Sequence, residues 1–184
     1  MAEMAAVRLV EPNAGFRESY LEALSELRAE GRRLNVRYDE IAADFEAFVA
    51  DLKNRAIPGK HPPELVPETW LWLVDGDEYI GRASIRHELS EELLLVGGNI
   101  GYEIRPSRRR QGYGRRILAL ALERARDLGI RRVLVTCDTD NVGSRKIIEA
   151  NGGRLENEIQ VPNSTVRKLR YWISTGGDMG QIDS

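Results

Sequence analysis

The 184-residue chain contains one cysteine, Cys137, and two histidines, His61 and His87. A single thiol excludes an intrachain disulfide, and this ligand supply is too thin for an all-protein zinc site. No run of ~18 apolar residues occurs, so no membrane-spanning helix is expected. Met1–Val10 lacks the basic start and apolar stretch of a secretory signal, which makes the cytoplasm the expected compartment. Excess positive charge is missing too: 27 basic side chains stand against 29 acidic ones, a formal net charge of −2. That balance, with no aromatic interleaving of the basic residues, argues against a nucleic-acid binder. Only four of the cationic residues are lysines (Lys53, Lys60, Lys146 and Lys168). With 42% hydrophobic and 30% charged residues, the composition is that of a globular domain. A chain of this length buries roughly 70% of its unfolded surface and needs no covalent staple.

Hydrophobic periodicity orders the chain. Val7–Val10 predicts a strand closed by Pro12. Asn13 can cap a helix over Phe16–Glu30, with Phe16, Tyr20, Leu24 and Leu27 at helical spacing. Asp39 is expected to cap a second helix carrying Ile41, Phe45, Phe48, Val49 and Leu52, and Ala56–Pro67 is proline-rich loop. The period then shortens to two. Thr69–Val74, the turn signal Asp75-Gly76-Asp77 and Glu78–Glu88 read as an antiparallel hairpin. Leu89–Gly98 gives no clear signal. Asn99–Arg105 reads as a strand, Gly112–Leu128 as an amphipathic helix, Arg132–Thr136 as a buried strand and Asn141–Asn151 as a short helix. Arg154–Val161 and Thr165–Ile173 form a final hairpin around Pro162-Asn163, followed by a loose tail. The order β-α-α-β-β-β-α-β-α-β-β predicts an α/β layered domain. The strands flanking the long helix should be parallel neighbours by a right-handed crossover, and the hairpins should be antiparallel, giving a mixed sheet.

The most informative segment is Ile104–Arg116, I-R-P-S-R-R-R-Q-G-Y-G-R-R. A strand ends, a short loop follows and a helix begins. The first-turn amides of a helix have no partners within the helix, and its dipole adds partial positive charge, so an anion is stabilised there. Gly112 and Gly114 let an anion approach closely. Six arginines (105, 108, 109, 110, 115 and 116) flank the turn, with no acid between Glu103 and Glu123. Arginine presents forked donors that match phosphate oxygens. Neither G-x-x-x-x-G-K-[ST] nor G-x-G-x-x-G is present, since position 117 is Ile, so nucleotide hydrolysis and dinucleotide redox chemistry have no motif behind them.

R-R-Q-G-Y-G at Arg109–Gly114 resembles the [QR]-x-x-G-x-[GA] signature of the GNAT superfamily of acyl-CoA-dependent N-acetyltransferases. N-x-x-S at Asn141–Ser144 is similar to a second motif of that family, near the pantetheine arm. The string G-N-I-G-Y-E-I-R-P-S…T-C-D-x-D-N looks closest to a bacterial subgroup of predicted acetyltransferases with unassigned substrates. The resemblance implies a single-domain GNAT-like fold with a centrally splayed sheet over residues 1–173, an acetyl-CoA-binding core at about 69–153 and a tail at 174–184. It implies that the amides of Gln111, Gly112, Tyr113, Gly114 and Arg115 cradle the diphosphate of acetyl-CoA, with Arg109 and Arg110 beside it. The pantetheine would enter the splay, pair with backbone groups of Tyr102, Ile104 and Arg105, and pass Asn141 and Ser144. An amide near Tyr102 would polarise the thioester carbonyl.

The implied activity is acetyl transfer to an amine, of a small molecule or a peptide, in a ternary complex without a metal. A homodimer through the last hairpin is a further possibility that the resemblance raises. An attacking amine must lose a proton. Glu103, on the strand beside the thioester, and Asp138, after the Arg132–Thr136 strand, are the candidate bases, with His87 behind them. Glu103 can equally be a strand carboxylate paired with Arg82 or Arg105, and Asp138 can shape its turn. Cys137 reads as a packed residue rather than a nucleophile. Many members carry a tyrosine acid seven residues after the motif asparagine. That position is Ile148 here, which leaves Tyr102 as a substitute acid and keeps a catalytically silent acyl-CoA-binding domain as the alternative reading.

Overall fold

The computed structural model describes residues 7–162 and 165–176. Seven strands and six α-helices follow one another as β1 (Val7–Val10), α1 (Arg17–Ala29), α2 (Tyr38–Ala43), α3 (Phe45–Asn54), β2 (Glu68–Asp75), β3 (Glu78–Arg86), α4 (Glu91–Leu95), β4 (Ile100–Ile104), α5 (Tyr113–Asp127), β5 (Arg132–Asp138), α6 (Val142–Ala150), β6 (Arg154–Gln160) and β7 (Arg167–Ser174). They form two sheets, β1-β2-β3-β4 and β5-β7-β6, and every ladder within them is antiparallel.

The T-W-L-W-L-V run of β2 is apolar on both faces because both faces are covered. Successive side chains of a strand point to opposite sides. Leu71 and Leu73 join the core under α5 with Ile80, Ile85, Ile117, Leu118 and Ala121. Trp72 and Val74 face the other way, into a second core with Ala23, Phe45, Val49, Leu52 and Tyr79 from α1, α3 and β3. Trp72 is fully buried, stacked on Tyr20 at 5.0 Å between ring centroids and edge-on to Tyr79. The sheet therefore has α5 on one face and α1 with α3 on the other.

The single helix expected after Asp39 is two. Arg37, not Asp39, precedes α2, and Asp44 leaves the helical conformation (φ −138°, ψ 77°), its side chain accepting from Ala47 N–H at 2.9 Å, ending α2 and capping α3. The ambiguous stretch before β4 contains α4, capped by Ser90. The Pro162-Asn163 turn falls partly, and the 174–184 tail largely, outside the described residues.

The parallel ladder expected between the strands flanking α5 does not form, because the sheet divides there. β4 and β5 touch only at their base. Asn99 donates its amide to Leu134 O at 2.7 Å, accepts from Leu134 N–H on its Oδ1 at 2.9 Å, and donates from Nδ2 to Arg86 O. Gly97 N–H donates to Thr136 Oγ1 at 3.0 Å. Gly98 has φ 62°, and a Cβ there would lie 2.3 Å from Leu134 O, so only glycine permits this approach. Beyond this clasp the two sheets diverge.

Candidate active site

α5 begins without a side-chain cap. Gly112 stands at the N-cap with φ 88°, a left-handed conformation that turns the chain from the loop into the helix. The first helical bond runs from Arg116 N–H to Gly112 O, so the amides of Tyr113, Gly114 and Arg115 precede it. The turn is held from outside. Tyr113 Oη donates to Asp75 Oδ2 at 2.7 Å, and Gln111 Nε2 donates to Ser107 O at 3.1 Å. Gly114 has a packing role as well, since a Cβ would meet Ile147 Cδ1 at 2.5 Å where α5 crosses α6.

The six flanking arginines divide. Arg105 is 5% exposed and bound by Glu26, Glu78, Ser19 and Tyr79 O. Arg108 makes two bonds to Glu78, at 2.9 and 2.7 Å. Arg109 donates to Glu30 at 2.9 and 3.0 Å and to Ile104 O at 3.1 Å. Burial pushes the Glu26 carboxyl up, but bonds from Arg105 and from Ser107 N–H and Oγ outweigh it and hold it below the ordinary value. Glu22, Glu26 and Glu30 recur at four-residue steps along α1 and its end, so one helix face supplies counter-charges to Arg105 and Arg109, and Glu78 of β3 supplies those of Arg108 and part of Arg105's. Arg109 is thus a brace for the loop rather than a free cation. Arg110, at φ 59°, and Arg115 are exposed at the turn itself.

β4 is the outer strand of its sheet. Arg105 N–H donates to Ile80 O, and the register pairs Glu103 with Arg82 and Tyr102 with Ala83. By antiparallel alternation the backbone groups of Gly101, Glu103 and Arg105 face β3, and those of Tyr102 and Ile104 face the divide. The Arg105 amide is therefore unavailable for the pairing expected of it, and Arg109 already occupies Ile104 O. What remains on this edge is Tyr102 and the Ile104 amide. The divide holds a cavity of about 260 Å³ lined by Gly101, Tyr102, Cys137, Asp138, Asn141 and Ser144 among others. Tyr102 Oη lies 2.8 Å from Ser144 Oγ across it. Burial raises the Tyr102 hydroxyl to about 12, against a small opposing effect of the Ser144 bond. Asn141 works as the α6 cap, its Oδ1 accepting from Ser144 N–H at 3.0 Å.

Neither candidate carboxylate is free. Glu103, 8% exposed, is met at 2.8 Å by Arg32 and by Arg33, and at 3.6 Å by Arg82; Arg105 is not its partner. Asp138 pairs with Lys168. His87 bonds Thr69 Oγ1 through Nε2 and lines neither the divide nor the cavity around Glu103. Cys137 is buried, which with the nearby Asp138 raises its thiol to about 11. Ile148 is fully buried and packs on Gly153.

Two features escaped the sequence reading. One is the Asn99 clasp, whose signal was a polar residue between glycines and an apolar strand. The other is a cavity of about 340 Å³ on the far face of β4, lined by Glu103, Arg33, Arg55, Arg82 and Trp70 among others. Its parts come from α1, α3, β2, β3 and β4, so no local pattern announces it.

Residues 16–154 match the sequence profile of the acetyltransferase (GNAT) domain. No curated protein matches in sequence. The fold is similar to that of the microcin C7 self-immunity acetyltransferase MccE in complex with acetyl-CoA and AMP, with TM-score 0.66, 14% identity and 92% of each chain covered. It is also similar to Mycobacterium smegmatis RimJ in complex with CoA-disulfide, with TM-score 0.66, 17% identity, and 91% of this chain and 81% of that one covered. A chimera of spermidine N-acetyltransferase SpeG from Vibrio cholerae and hSSAT gives TM-score 0.61 at 15% identity, over 92% and 96% of the chains.

Proposed function

Because the chain belongs to the GNAT acetyltransferase family, we propose that it moves an acetyl group from acetyl-CoA to a primary amine by direct attack in a ternary complex. The observation that carries this reading is an uncapped α5 start that follows, one short loop on, an unpaired β4 edge whose Tyr102 lines a cavity with β5 and α6. Bound acetyl-CoA supplies an activated acyl group on a thiol leaving group. The amides of Tyr113, Gly114 and Arg115 would hold its diphosphate, with Arg110 and Arg115 adding charge from the exposed side. The edge amides of Tyr102 and Ile104 would take the tail and polarise the acyl carbonyl.

In the transfer a nitrogen–carbon bond forms and the carbon–sulfur bond breaks. One proton leaves the amine and one reaches the thiolate. Tyr102, protonated throughout the neutral range and lining the divide, is the group we assign to the thiolate. The buried Ile148 takes no part. The raised, buried Cys137 thiol disfavours an acyl-enzyme. For the proton leaving the amine, Asp138, paired with Lys168, lines the divide itself, whereas Glu103 lines the cavity on the other face of β4 among three guanidiniums.

The ion pairing of both carboxylates is also the observation that favours the second reading, an acyl-CoA-binding domain without turnover. Two measurements separate the readings. Acetyl-CoA should raise the melting temperature, because it binds only the folded state. Free thiol should then be released in the presence of an amine panel, with Tyr102→Phe lowering kcat about 100-fold. A thermal shift without thiol release across a broad panel would favour the silent domain, and no shift at millimolar acetyl-CoA would overturn both.

A further inference from the structure

The cavity on the far face of β4 has a composition that defines a ligand class. Tyr102 and Glu103 are consecutive, so their side chains leave β4 on opposite faces: Tyr102 into the divide, Glu103 into this cavity. The strand that would hold the thioester on one side thus walls the cavity on the other. Tyr20, Phe48 and Trp70 give it aromatic walls. Its volume of about 340 Å³ is at the lower end for small-molecule sites, which run from roughly 300 Å³ upward.

Its charge is one-sided. Arg33, Arg55 and Arg82 line it, against the single carboxylate of Glu103. That carboxylate is already spent, because Arg33 donates to it from Nε at 2.9 Å, and Arg32 reaches it from outside the cavity. Arg55 and Arg82 lie over the Trp70 ring at 5.5 and 4.6 Å from its centroid. The Nε of Arg82 is buried without a hydrogen-bond partner. Among the described residues the Arg55 guanidinium is hydrogen-bonded to the exposed Asp51, 63% accessible, outside the cavity. Arg82 reaches Glu103 only at 3.6 Å and shares it with Arg32 and Arg33, so a polycation entering here would meet an excess of guanidiniums over carboxylate. An anion would satisfy them, and forked donors suit a carboxylate or a phosphate.

We infer that this cavity binds the acceptor, and that the acceptor is an amine with an apolar or aromatic body and an anionic group, seated on Trp70 and held by Arg55 and Arg82. The inference rests on the acetyltransferase reading for the fate of the amine, but the anion preference stands on the cavity alone.

The test uses matched probes with the full-length protein and saturating acetyl-CoA: L-phenylalanine, phenethylamine, O-phosphoethanolamine and spermidine. Phenylalanine should be acetylated with kcat/KM at least tenfold above phenethylamine, and spermidine should be poorest. A response to O-phosphoethanolamine equal to or above phenylalanine would assign the anion as phosphate rather than carboxylate and still support the inference. Arg55→Glu should bring the phenylalanine-to-phenethylamine ratio to about one or below, mainly through KM, while Arg82→Lys should retain part of the preference. Circular dichroism checks the fold of each variant. Preference for phenethylamine or spermidine would overturn the inference. So would binding of acetyl-CoA with neither anionic probe bound nor acetylated. Thermal shifts with the probes alone keep the two readings apart. An anionic probe that binds where acetyl-CoA does not would uphold the cavity's chemistry and overturn only the transferase.

Discussion

Arg105, Arg108 and Arg109 sit beside Arg110 and Arg115 in the chain, yet the fold uses the two groups in different ways. The first three are consumed by Glu26, Glu78 and Glu30, which bind the loop after β4 to α1 and to the β2–β3 hairpin. The other two stand exposed where the α5 amides open. The difference divides an arginine-rich stretch into a scaffold half and an exposed half. The scaffold half ties the loop to its neighbours, and the exposed half, together with the amides, is the part we propose to meet acetyl-CoA. Charge counted along a sequence overstates the charge available to an anion.

Substitutions at the turn divide that comparison. Gly112→Glu should have the largest effect: complete loss of the acetyl-CoA thermal shift and a fall in kcat/KM of more than about 100-fold. It places a carboxylate among the amides and forces a side chain into a left-handed backbone, at about 1 kcal/mol of stability. Arg105→Met comes next and acts on the other half. Removing one partner of a buried ion network costs about 3 kcal/mol, so the melting temperature should fall while the acetyl-CoA shift persists. Acid should weaken the same contact in the unaltered chain. The folded Glu26 carboxyl lies below its unfolded value, so its contribution is full at neutral pH and is lost as pH falls through the ordinary glutamate range towards the folded value. Denaturation curves from pH 7 to pH 3 should show stability dropping there, less steeply in Glu26→Gln.

Arg110→Glu should weaken acetyl-CoA binding about tenfold, with stability changed by less than about 0.5 kcal/mol. Arg109→Ala should have the smallest effect, below about 1 kcal/mol in stability and no change in acetyl-CoA affinity, since its partner Glu30 is 40% exposed. If Arg109→Ala abolished binding while Arg110→Glu did not, the division of labour drawn here would be reversed.

The sequence made the elements legible wherever periodicity was strong. The β2–β3 hairpin and α5 lie within a residue or two of where apolar spacing puts them, and the glycine-opened helix start could be read from Gly112 and its neighbours. The division of the sheet was legible only through the family resemblance, because it depends on which strand edges meet. The Asn99 clasp joins residues 35 positions apart. The pairing of Arg105 with Glu26 spans 79 positions and needed α1 to dock before it could be seen. Glu103 was placed on the correct strand but not among Arg32 and Arg33, since those residues belong to a connection without hydrophobic period. Trp70 is partly buried against the same core as Trp72. It also lines the cavity, near the start of β2, where Arg55 and Arg82 lie over its ring.

The central claim is that the α5 start and the β4 edge form one continuous seat. Residue-resolved amide hydrogen exchange with and without acetyl-CoA tests it most directly. The account predicts slowed exchange at Tyr113, Gly114 and Arg115 together with Tyr102 and Ile104, and little change along β6. Protection confined to other residues, or at the helix start with the β4 edge unaffected, would contradict it.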